Sequence, residues 1–288
     1  MSETFDFDSG KGHTDENFPV GSVLIAARHR PLVMAFYRVA RMSDDVADHP
    51  TASPDQKLAR LDAIEASLTG ADDAVREAVA LRTALVERGL DSTHALDLLK
   101  AFRLDVTKSR YEDWDDLMDY CRYSAAPVGR FMLDVHGESR DTWPASDALC
   151  AALQLINHLQ DCGKDYRNLK RIYLPREELP DADLEALDGE RASPALRMAI
   201  GNLAVRTSEL LHLANPLGPH IRDTRLALEV GVIHSLAVDL NRRLLDRDPL
   251  CERVHHRPHE ALGFAIAGAV GILAGRLGLG RRPGLGHS

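Results

Sequence analysis

Apolar side chains recur through most of the chain at the spacing of an amphipathic helix. They do so from Leu32 to Ala40 and again from Leu149 to Leu159, at intervals of three and four residues. This spacing gathers the apolar side chains on one helical face. No segment shows the sustained alternation of apolar and polar residues that marks a half-buried strand. The pattern therefore predicts an all-α protein.

Proline, glycine and serine indicate where the helices begin and end. Ser53 and Pro54 are typical of an N-cap and a first helical residue, and Gly70 is typical of a helix end. A first helix is predicted from near Ser22 to Asp48, with a break or kink at Pro31. Further helices are predicted over residues 73–88, 92–108, 114–136, 193–213 and 219–246.

The predicted helix over residues 114–136 contains a proline inside its helical pattern. Pro127 has no N–H to donate, which frees the carbonyl of residue 123 and kinks the helix. Its neighbours Ser124, Ala126 and Gly129 are small. Small side chains leave room beside the kink, either for close packing of another helix or for a bound molecule.

Two polar stripes interrupt the apolar helices. In the first, Tyr37, Arg41, Asp44 and Asp48 share one helical face. Carboxylates one turn apart repel each other, so a helix that is otherwise buried retains them where a cation binds. The alternative is a solvated turn or a set of N-caps. Arg41 adds a guanidinium that could grip two oxygens of a diphosphate.

The second stripe repeats this arrangement with Gln154, Asn157, Asp161 and Asp165. Two all-oxygen clusters suit Mg²⁺, which takes one or two carboxylates, keeps several waters and bridges to substrate phosphates. The predicted metal ligands are Asp44, Asp48, Asn157, Asp161 and Asp165.

Composition and charge narrow the class of protein. The chain has 288 residues, 35 basic and 44 acidic, for a net charge of −9, which argues against a nucleic-acid partner. Four cysteines without C-x-x-C spacing, and an N-terminus without leader features, predict a cytoplasmic protein with reduced thiols. We expect a disordered N-terminus over residues 1–12, one domain over 13–277 and a flexible tail over 278–288.

The segment from Ala261 to Ala274 is apolar but short. It has fourteen residues before Arg276, whereas a membrane-spanning helix needs about 20. It is predicted to be either the last core helix or a helix that rests on a membrane surface.

Both stripes belong to longer motifs. Arg41-x-x-Asp44-Asp45-x-x-Asp48 and Gln154-x-x-Asn157-x-x-x-Asp161-x-x-x-Asp165, followed by Arg171-Ile172-Tyr173-Leu174-Pro175, resemble the squalene/phytoene synthase family. Residues 16–20, 123–130 and 157–162 resemble its bacterial hydroxysqualene synthase branch, and the resemblance covers residues 12–260. It implies an all-α, single-domain isoprenoid-synthase fold with a central substrate cavity.

The resemblance also implies an activity and a set of site residues. The expected reaction is Mg²⁺-dependent conversion of presqualene diphosphate and water to hydroxysqualene and diphosphate, in squalene and hopanoid biosynthesis, without a nicotinamide. Asp44, Asp48, Asp161, Asp165 and Tyr120 would be catalytic. The substrate-binding residues would be Asn17, Tyr37, Arg41, Gln154, Asn157, Arg171, Tyr173 and Arg253. The chain departs from the family at Lys170, where condensing members usually have glycine, and near Asn241, where a tyrosine is common.

Other functions stay open at this point. Condensation of two prenyl diphosphates, to presqualene diphosphate or to phytoene, would use the same metal ligands. A non-catalytic family member that acts as an assembly factor would have eroded motifs, whereas all four spaced aspartates are intact here. Beyond the prenyl diphosphate, the expected partners are a membrane surface and other enzymes of the squalene route that would receive the product.

Overall fold

The fold is built almost entirely from helices. The computed structural model describes residues 25–276, in which no strand forms and the β pairing is an isolated bridge between Arg110 and Ile172. The all-α prediction is confirmed. The α-helices are α1 (Arg30–Asp48), α2 (Pro54–Thr69), α3 (Arg76–Val86), α4 (Thr93–Thr107), α5 (Trp114–Ser124), α6 (Ala126–Val135), α7 (Trp143–Leu169), α8 (Pro194–Ala214), α9 (Leu217–His220), α10 (Thr224–Asp246) and α11 (Pro258–Arg276). Two 3₁₀ segments span Arg140–Thr142 and Asp181–Asp188.

Both ends of α2 are set by the residues that the sequence analysis identified. The Ser53 hydroxyl accepts the Gln56 N–H at 3.3 Å, and the Gln56 side chain accepts the Ser53 N–H at 2.8 Å. This reciprocal pair satisfies two N–H groups at the start of α2 that have no partner within the helix. Gly70 ends α2 in the left-handed region, with φ of 82°. Both ends of α2 were predicted correctly.

Two proline-containing regions differ from the sequence prediction. The predicted start of the first helix near Ser22 is wrong, because residues 25–29 form a turn and α1 begins at Arg30. Pro31 therefore lies in the first turn, where a missing N–H breaks no hydrogen bond. Pro127 does more than kink one helix. It separates α5 from α6, and Ala125 between them leaves helical geometry at φ −123° and ψ −51°.

Apolar packing joins the helices around the region that carries the polar stripes. One buried cluster is formed mainly by α1 to α4, and another by α7, α8 and α10. A third, smaller cluster lies between α4, α5 and α7 and contains Tyr111, Tyr120 and Tyr173. The side chains at the centres of these clusters include Leu61, Leu81, Leu99, Leu155, Ile156, Leu203 and Ile200.

Helix α11 packs closely against α10 through two glycines. A Cβ atom on Gly268 would lie 2.3 Å from the carbonyl oxygen of Gly231, so the two backbones touch where the helices cross. Only glycine permits so close an approach. The apolar segment near the C-terminus is thus a helix packed against the rest of the fold. The predictions for residues 1–12 and 278–288 lie outside the described residues.

Candidate active site

The α1 stripe faces a cavity of about 320 Å³, which we call the polar cavity. Tyr37, Arg41, Asp44 and Asp48 all line it, as their spacing predicted. Arg41 is held by its own helix: Nη1 lies 3.0 Å from Asp44 Oδ2 and Nη2 lies 2.5 Å from Asp45 Oδ1. These i+3 and i+4 pairs keep the guanidinium at the cavity wall.

Helix α7 supplies the opposite wall of the polar cavity. Gln154 and Asp165 line it, about three helical turns apart. Asn157 and Asp161 lie between them on the same helical stripe but are not among the lining side chains. The Asp161 side chain is 41% exposed and lies 3.5 Å from Lys164 Nζ. Two of the four residues of the second stripe therefore lie directly at the cavity.

The chain turns sharply where α7 ends. Lys170 adopts the left-handed conformation, with φ of 54°. A residue with a Cβ pays roughly 1–2 kcal/mol for this geometry, which explains why glycine suits the position. The turn directs the next residue, Arg171, back towards the cavity. Ile172 N–H then bonds to the Ser109 carbonyl at 2.9 Å, so the segment after α7 runs beside residues 109–111.

Arg171 ties together groups from α1 and α4. Its Nη1 lies 2.6 Å from Asp48 Oδ1, and its Nη2 bonds to the Ala47 carbonyl at 3.0 Å. Its Nε bonds to the carbonyl of Asp105 at 2.9 Å. This buried guanidinium is thus shared between the end of α1 and the end of α4. Its predicted contact with diphosphate stays a prediction.

Asp105 is a site residue that the sequence analysis missed. It lies on α4 in the polar cavity, and its carboxylate accepts hydrogen bonds from Tyr120 Oη at 3.0 and 3.1 Å and from Tyr173 Oη at 3.0 Å. Burial raises the pKa of Asp105 to about 6, despite the opposing effects of Arg171 and both tyrosines. The available signal was a lone carboxylate on the apolar face that contains Leu98 and Phe102.

His158 is the second residue that the sequence analysis missed. Its ring stacks on Tyr173, with centroids 3.5 Å apart and planes at 11°, and its Nε2 lies 3.1 Å from Gln154 Nε2. Burial and, to a smaller extent, Arg171 lower its pKa to about 3, so the imidazole is neutral. The available signal was its place four residues after Gln154, one turn further along the polar stripe.

The carboxylates of the polar cavity disfavour each other's charge. Burial and then the neighbouring Asp48 raise the pKa of Asp44 to about 7. Burial and then Asp161 raise the pKa of Asp165 to about 7 as well. Groups that repel in this way are stabilised as anions by a bound cation.

The oxygen ligands of the site fit a Mg²⁺ ion that is coordinated only in part by the protein. Among residues 25–276, no three His, Cys, Asp or Glu side chains converge on one metal position. Mg²⁺ does not need such a cage, because it takes one or two carboxylates, keeps water and binds substrate phosphates. Asp44 and Asp48 on one wall and Asp165 on the other suit a cation that binds together with a diphosphate.

A second cavity of about 320 Å³, the apolar cavity, adjoins the first. Tyr37, Ala40 and Val128 line both cavities, so the two meet at these side chains. The apolar cavity extends between α1, α6, α7 and α10, with walls that include Phe36, Met132, Leu149, Leu153, Leu226, Val230 and Ile233. A charged head and a long hydrocarbon chain of one molecule would each find a matching environment.

Besides Asn157, two predicted substrate-binding residues are not placed at this site. Arg253 is exposed in the connection between α10 and α11 and does not line the polar cavity. Asn17 lies outside the described residues. Their roles, and those of Asn157 and Asp161 as metal ligands, stay predictions.

An all-helical fold that encloses a carboxylate-rich cavity beside an apolar one is typical of isoprenoid synthases. The squalene/phytoene synthase family model matches residues 11–260. The chain belongs to that family, and the family prediction is confirmed.

Within the family, the chain is similar over nearly its whole length to hydroxysqualene synthases. The chain is 55% identical to a hydroxysqualene synthase of Rhodopseudomonas palustris, over 98% of this chain and 97% of the relative. It is 54% identical to a hydroxysqualene synthase of Zymomonas mobilis, over 92% and 91%. Phytoene synthases match over a smaller part, as with the Mycobacterium tuberculosis protein at 36% identity over 57% of this chain.

Two solved structures of squalene-synthase type superpose on this chain over most of its length. The crystal structure of squalene synthase HpnC from Alicyclobacillus acidocaldarius superposes with a TM-score of 0.67 at 30% identity, covering 78% of this chain and 88% of that one. A dehydrosqualene synthase in complex with a ligand superposes with a TM-score of 0.74 at 20% identity, covering 90% and 93%. At that identity the second match shows the fold alone.

Proposed function

We propose that this enzyme converts presqualene diphosphate and water to hydroxysqualene and diphosphate. The observation that carries the proposal is the 55% identity, over nearly the whole of both chains, to a protein named hydroxysqualene synthase. The adjoining polar and apolar cavities support it, because the substrate has a diphosphate head and two long hydrocarbon chains. The intact aspartates at the polar cavity argue against a non-catalytic role.

The polar cavity would bind and release the diphosphate. Arg41 and Arg171 present guanidinium N–H groups beside the carboxylates, and each is held in place by aspartate partners. Mg²⁺ bound by Asp44, Asp48 and Asp165, with Asn157 and Asp161 as further candidate ligands, would neutralise the diphosphate and make it a better leaving group.

The walls around the ionised carbon would stabilise and protect the cation. The rings of Tyr120 and Tyr173 line the cavity, and their faces favour a nearby positive charge. Asp105 behind them holds both hydroxyl groups. Ala40 and Val128 at the meeting point of the two cavities are apolar, which limits early attack by water.

The test is to incubate the purified protein with presqualene diphosphate and Mg²⁺ in ¹⁸O-water, without NADPH. We expect an alcohol that carries one solvent oxygen, identified by mass. Inertness towards presqualene diphosphate, combined with its formation from farnesyl diphosphate, would assign the condensation step instead. An unlabelled hydrocarbon as sole product would indicate a reaction of the phytoene type.

We also propose that the outer face of α11 docks on an anionic membrane surface. Ile266, Val270 and Leu273 form one stripe along α11 and are each 44–56% exposed. Arg276 ends the helix, and Arg281 and Arg282 follow in the sequence, so the sequence after the apolar stripe is basic. No helix between residues 25 and 276 is both long and apolar enough to cross a bilayer.

The location of α11 makes this contact useful for the release of a largely apolar product. Ile272, on its inner side, packs beside Gly218 and Gly231, next to the residues of α9 and α10 that line the apolar cavity. We expect co-sedimentation with vesicles containing phosphatidylglycerol, and its loss in the double variant Ile266→Gln, Val270→Gln. Leu213→Gln, at an exposed leucine on α8, is the matched control. Self-association abolished by the same double variant, without vesicle binding, would assign the face to a second copy of the chain.

A further inference from the structure

The break between α5 and α6 lies where the two cavities meet. Ser124, the last residue of α5, lines the polar cavity. Val128, one turn later, lines both cavities, and Gly129 lines the apolar one. The break is therefore close to the boundary between the charged part and the hydrocarbon part of a bound substrate.

The break leaves polar groups of the chain without their helical partners. The Ser124 hydroxyl oxygen is buried and has no hydrogen-bond partner among the described residues. Pro127 has no N–H, so the Tyr123 carbonyl lacks the donor that it would have in a continuous helix. A buried hydroxyl such as that of Ser124 normally binds water or a ligand, because leaving it unbonded is costly.

Contacts of α5 and α6 with α7 show which residue of α7 lies opposite Ser124. The Tyr120 ring lies 6.1 Å from the His158 ring, and a Cβ on Gly129 would meet Ser146 and Cys150. α5 and α6 therefore run antiparallel to α7, and Ser124 falls between these two levels, opposite Gln154. Rotation about the Cα–Cβ bond of Ser124 allows its hydroxyl to face the cavity, which Gln154 also lines.

We propose that Ser124 holds and positions the single water molecule that ends the reaction. This inference rests on the proposed function. Departure of diphosphate breaks its C–O bond and leaves a cyclopropylcarbinyl cation. This cation rearranges, and the water oxygen then forms a C–O bond to it as a cyclopropane C–C bond opens. The resulting oxonium gives one proton to the released diphosphate, and the product is a neutral alcohol.

This assignment explains how one water molecule can be held at the edge of the apolar cavity. The side chains around the break, Ala125, Ala126, Pro127 and Val128, have no hydrogen-bonding groups. Within the break, Ser124 is therefore the residue whose side chain can hold a water molecule and orient the lone pair of that water towards the cation. Without that water the cation would lose a proton from a neighbouring carbon, and the product would be a hydrocarbon with a further double bond.

The test compares Ser124→Ala, Ser124→Val and Ser124→Thr with the unmodified enzyme on presqualene diphosphate and Mg²⁺ in ¹⁸O-water. The ratio of labelled alcohol to hydrocarbon and the rate of diphosphate release are measured together. We expect the ratio to fall about fivefold or more in Ser124→Ala and further in Ser124→Val. We expect Ser124→Thr to preserve the ratio, because it retains the hydroxyl, and diphosphate release to continue in all three variants.

Ser43→Ala is the matched control, since the Ser43 hydroxyl bonds to the Val39 carbonyl of its own helix and lines neither cavity. It should leave the ratio unchanged. Labelled alcohol as sole product of Ser124→Ala, at any rate of turnover, would overturn the role of Ser124. If Ser124→Val does not fold, Ser124→Ala alone decides. Failure of the unmodified enzyme to make any alcohol would instead refute the proposed function.

Discussion

Replacing Asp105 by asparagine should make the protein more stable at alkaline pH and slower in turnover. The folded protein keeps a proton on Asp105 up to a pKa of about 6, whereas the ordinary value is 3.8. This carboxyl therefore stabilises the fold below pH 3.8, and its contribution is lost as the pH rises through 6. The difference between the two values corresponds to about 3 kcal/mol. Asparagine cannot ionise and avoids this loss.

The effect on turnover should have the opposite sign. At pH 8 the Asp105 carboxylate accepts hydrogen bonds from Tyr120 and Tyr173 and interacts electrostatically with Arg171. A hydrogen bond to a charged group is worth roughly 1.5–3 kcal/mol. Without the Asp105 carboxylate, Tyr120 and Tyr173 would be held less firmly beside the proposed carbocation, which should lower kcat about 10- to 100-fold.

The assay is urea unfolding of both proteins at pH 4.5 and pH 8, with kcat measured at pH 8. The free energy of unfolding of Asp105→Asn, relative to the unmodified protein, should rise by about 1–3 kcal/mol between the two pH values. Asp97→Asn, on the same helix but in a surface pair with Lys100, controls for loss of a carboxylate from α4. A stability difference independent of pH would refute the burial argument, and unchanged kcat would refute the supporting role.

Three further perturbations test other parts of the structure. Asp48→Ala or Asp161→Ala should lower turnover by about three orders of magnitude with the fold retained by circular dichroism; near-normal activity in either would remove that residue from the site. Mg²⁺ and diphosphate together should raise the melting temperature by more than the sum of their separate shifts, because each completes the coordination of the other; additive shifts would contradict a shared site. Gly268→Ala should destabilise the protein by about 1–3 kcal/mol, since its Cβ would meet the Gly231 backbone, whereas Gly271→Ala, where nothing lies within 4 Å, should be neutral or stabilising by up to about 1 kcal/mol in the same unfolding assay.

Local sequence signals predicted the helices well where capping decides the outcome. Ser53, Pro54 and Gly70 define α2 because each satisfies a backbone requirement of its own position. Pro31 shows the limit of such reasoning. A proline fits equally well at a kink and in a first turn, and only the surrounding packing determines which of these occurs.

The site was predictable where its side chains share a helix. Spacing alone places Asp44 and Asp48 together, and both line the polar cavity. Asp105 escaped prediction because its partners, Tyr120 and Tyr173, come from two other segments of the chain. Long-range contacts of this kind leave no periodic signal. The same reason hides the three acceptors of Arg171.

The three bonds of Arg171 have a consequence for the geometry of the reaction. The Arg171 N–H bonds to the Asp165 carbonyl near the end of α7, at 3.3 Å, and its guanidinium bonds to Asp48 at the end of α1. A single planar side chain therefore spans the gap between the end of α7, with Asp165, and the end of α1, with Asp48. Lysine has the same charge, but its three N–H donors share one nitrogen, whereas the donors of Arg171 lie on three nitrogens and reach acceptors that are further apart. In this enzyme one arginine side chain links the ends of the two carboxylate-bearing helices, between which a metal–diphosphate complex would fit.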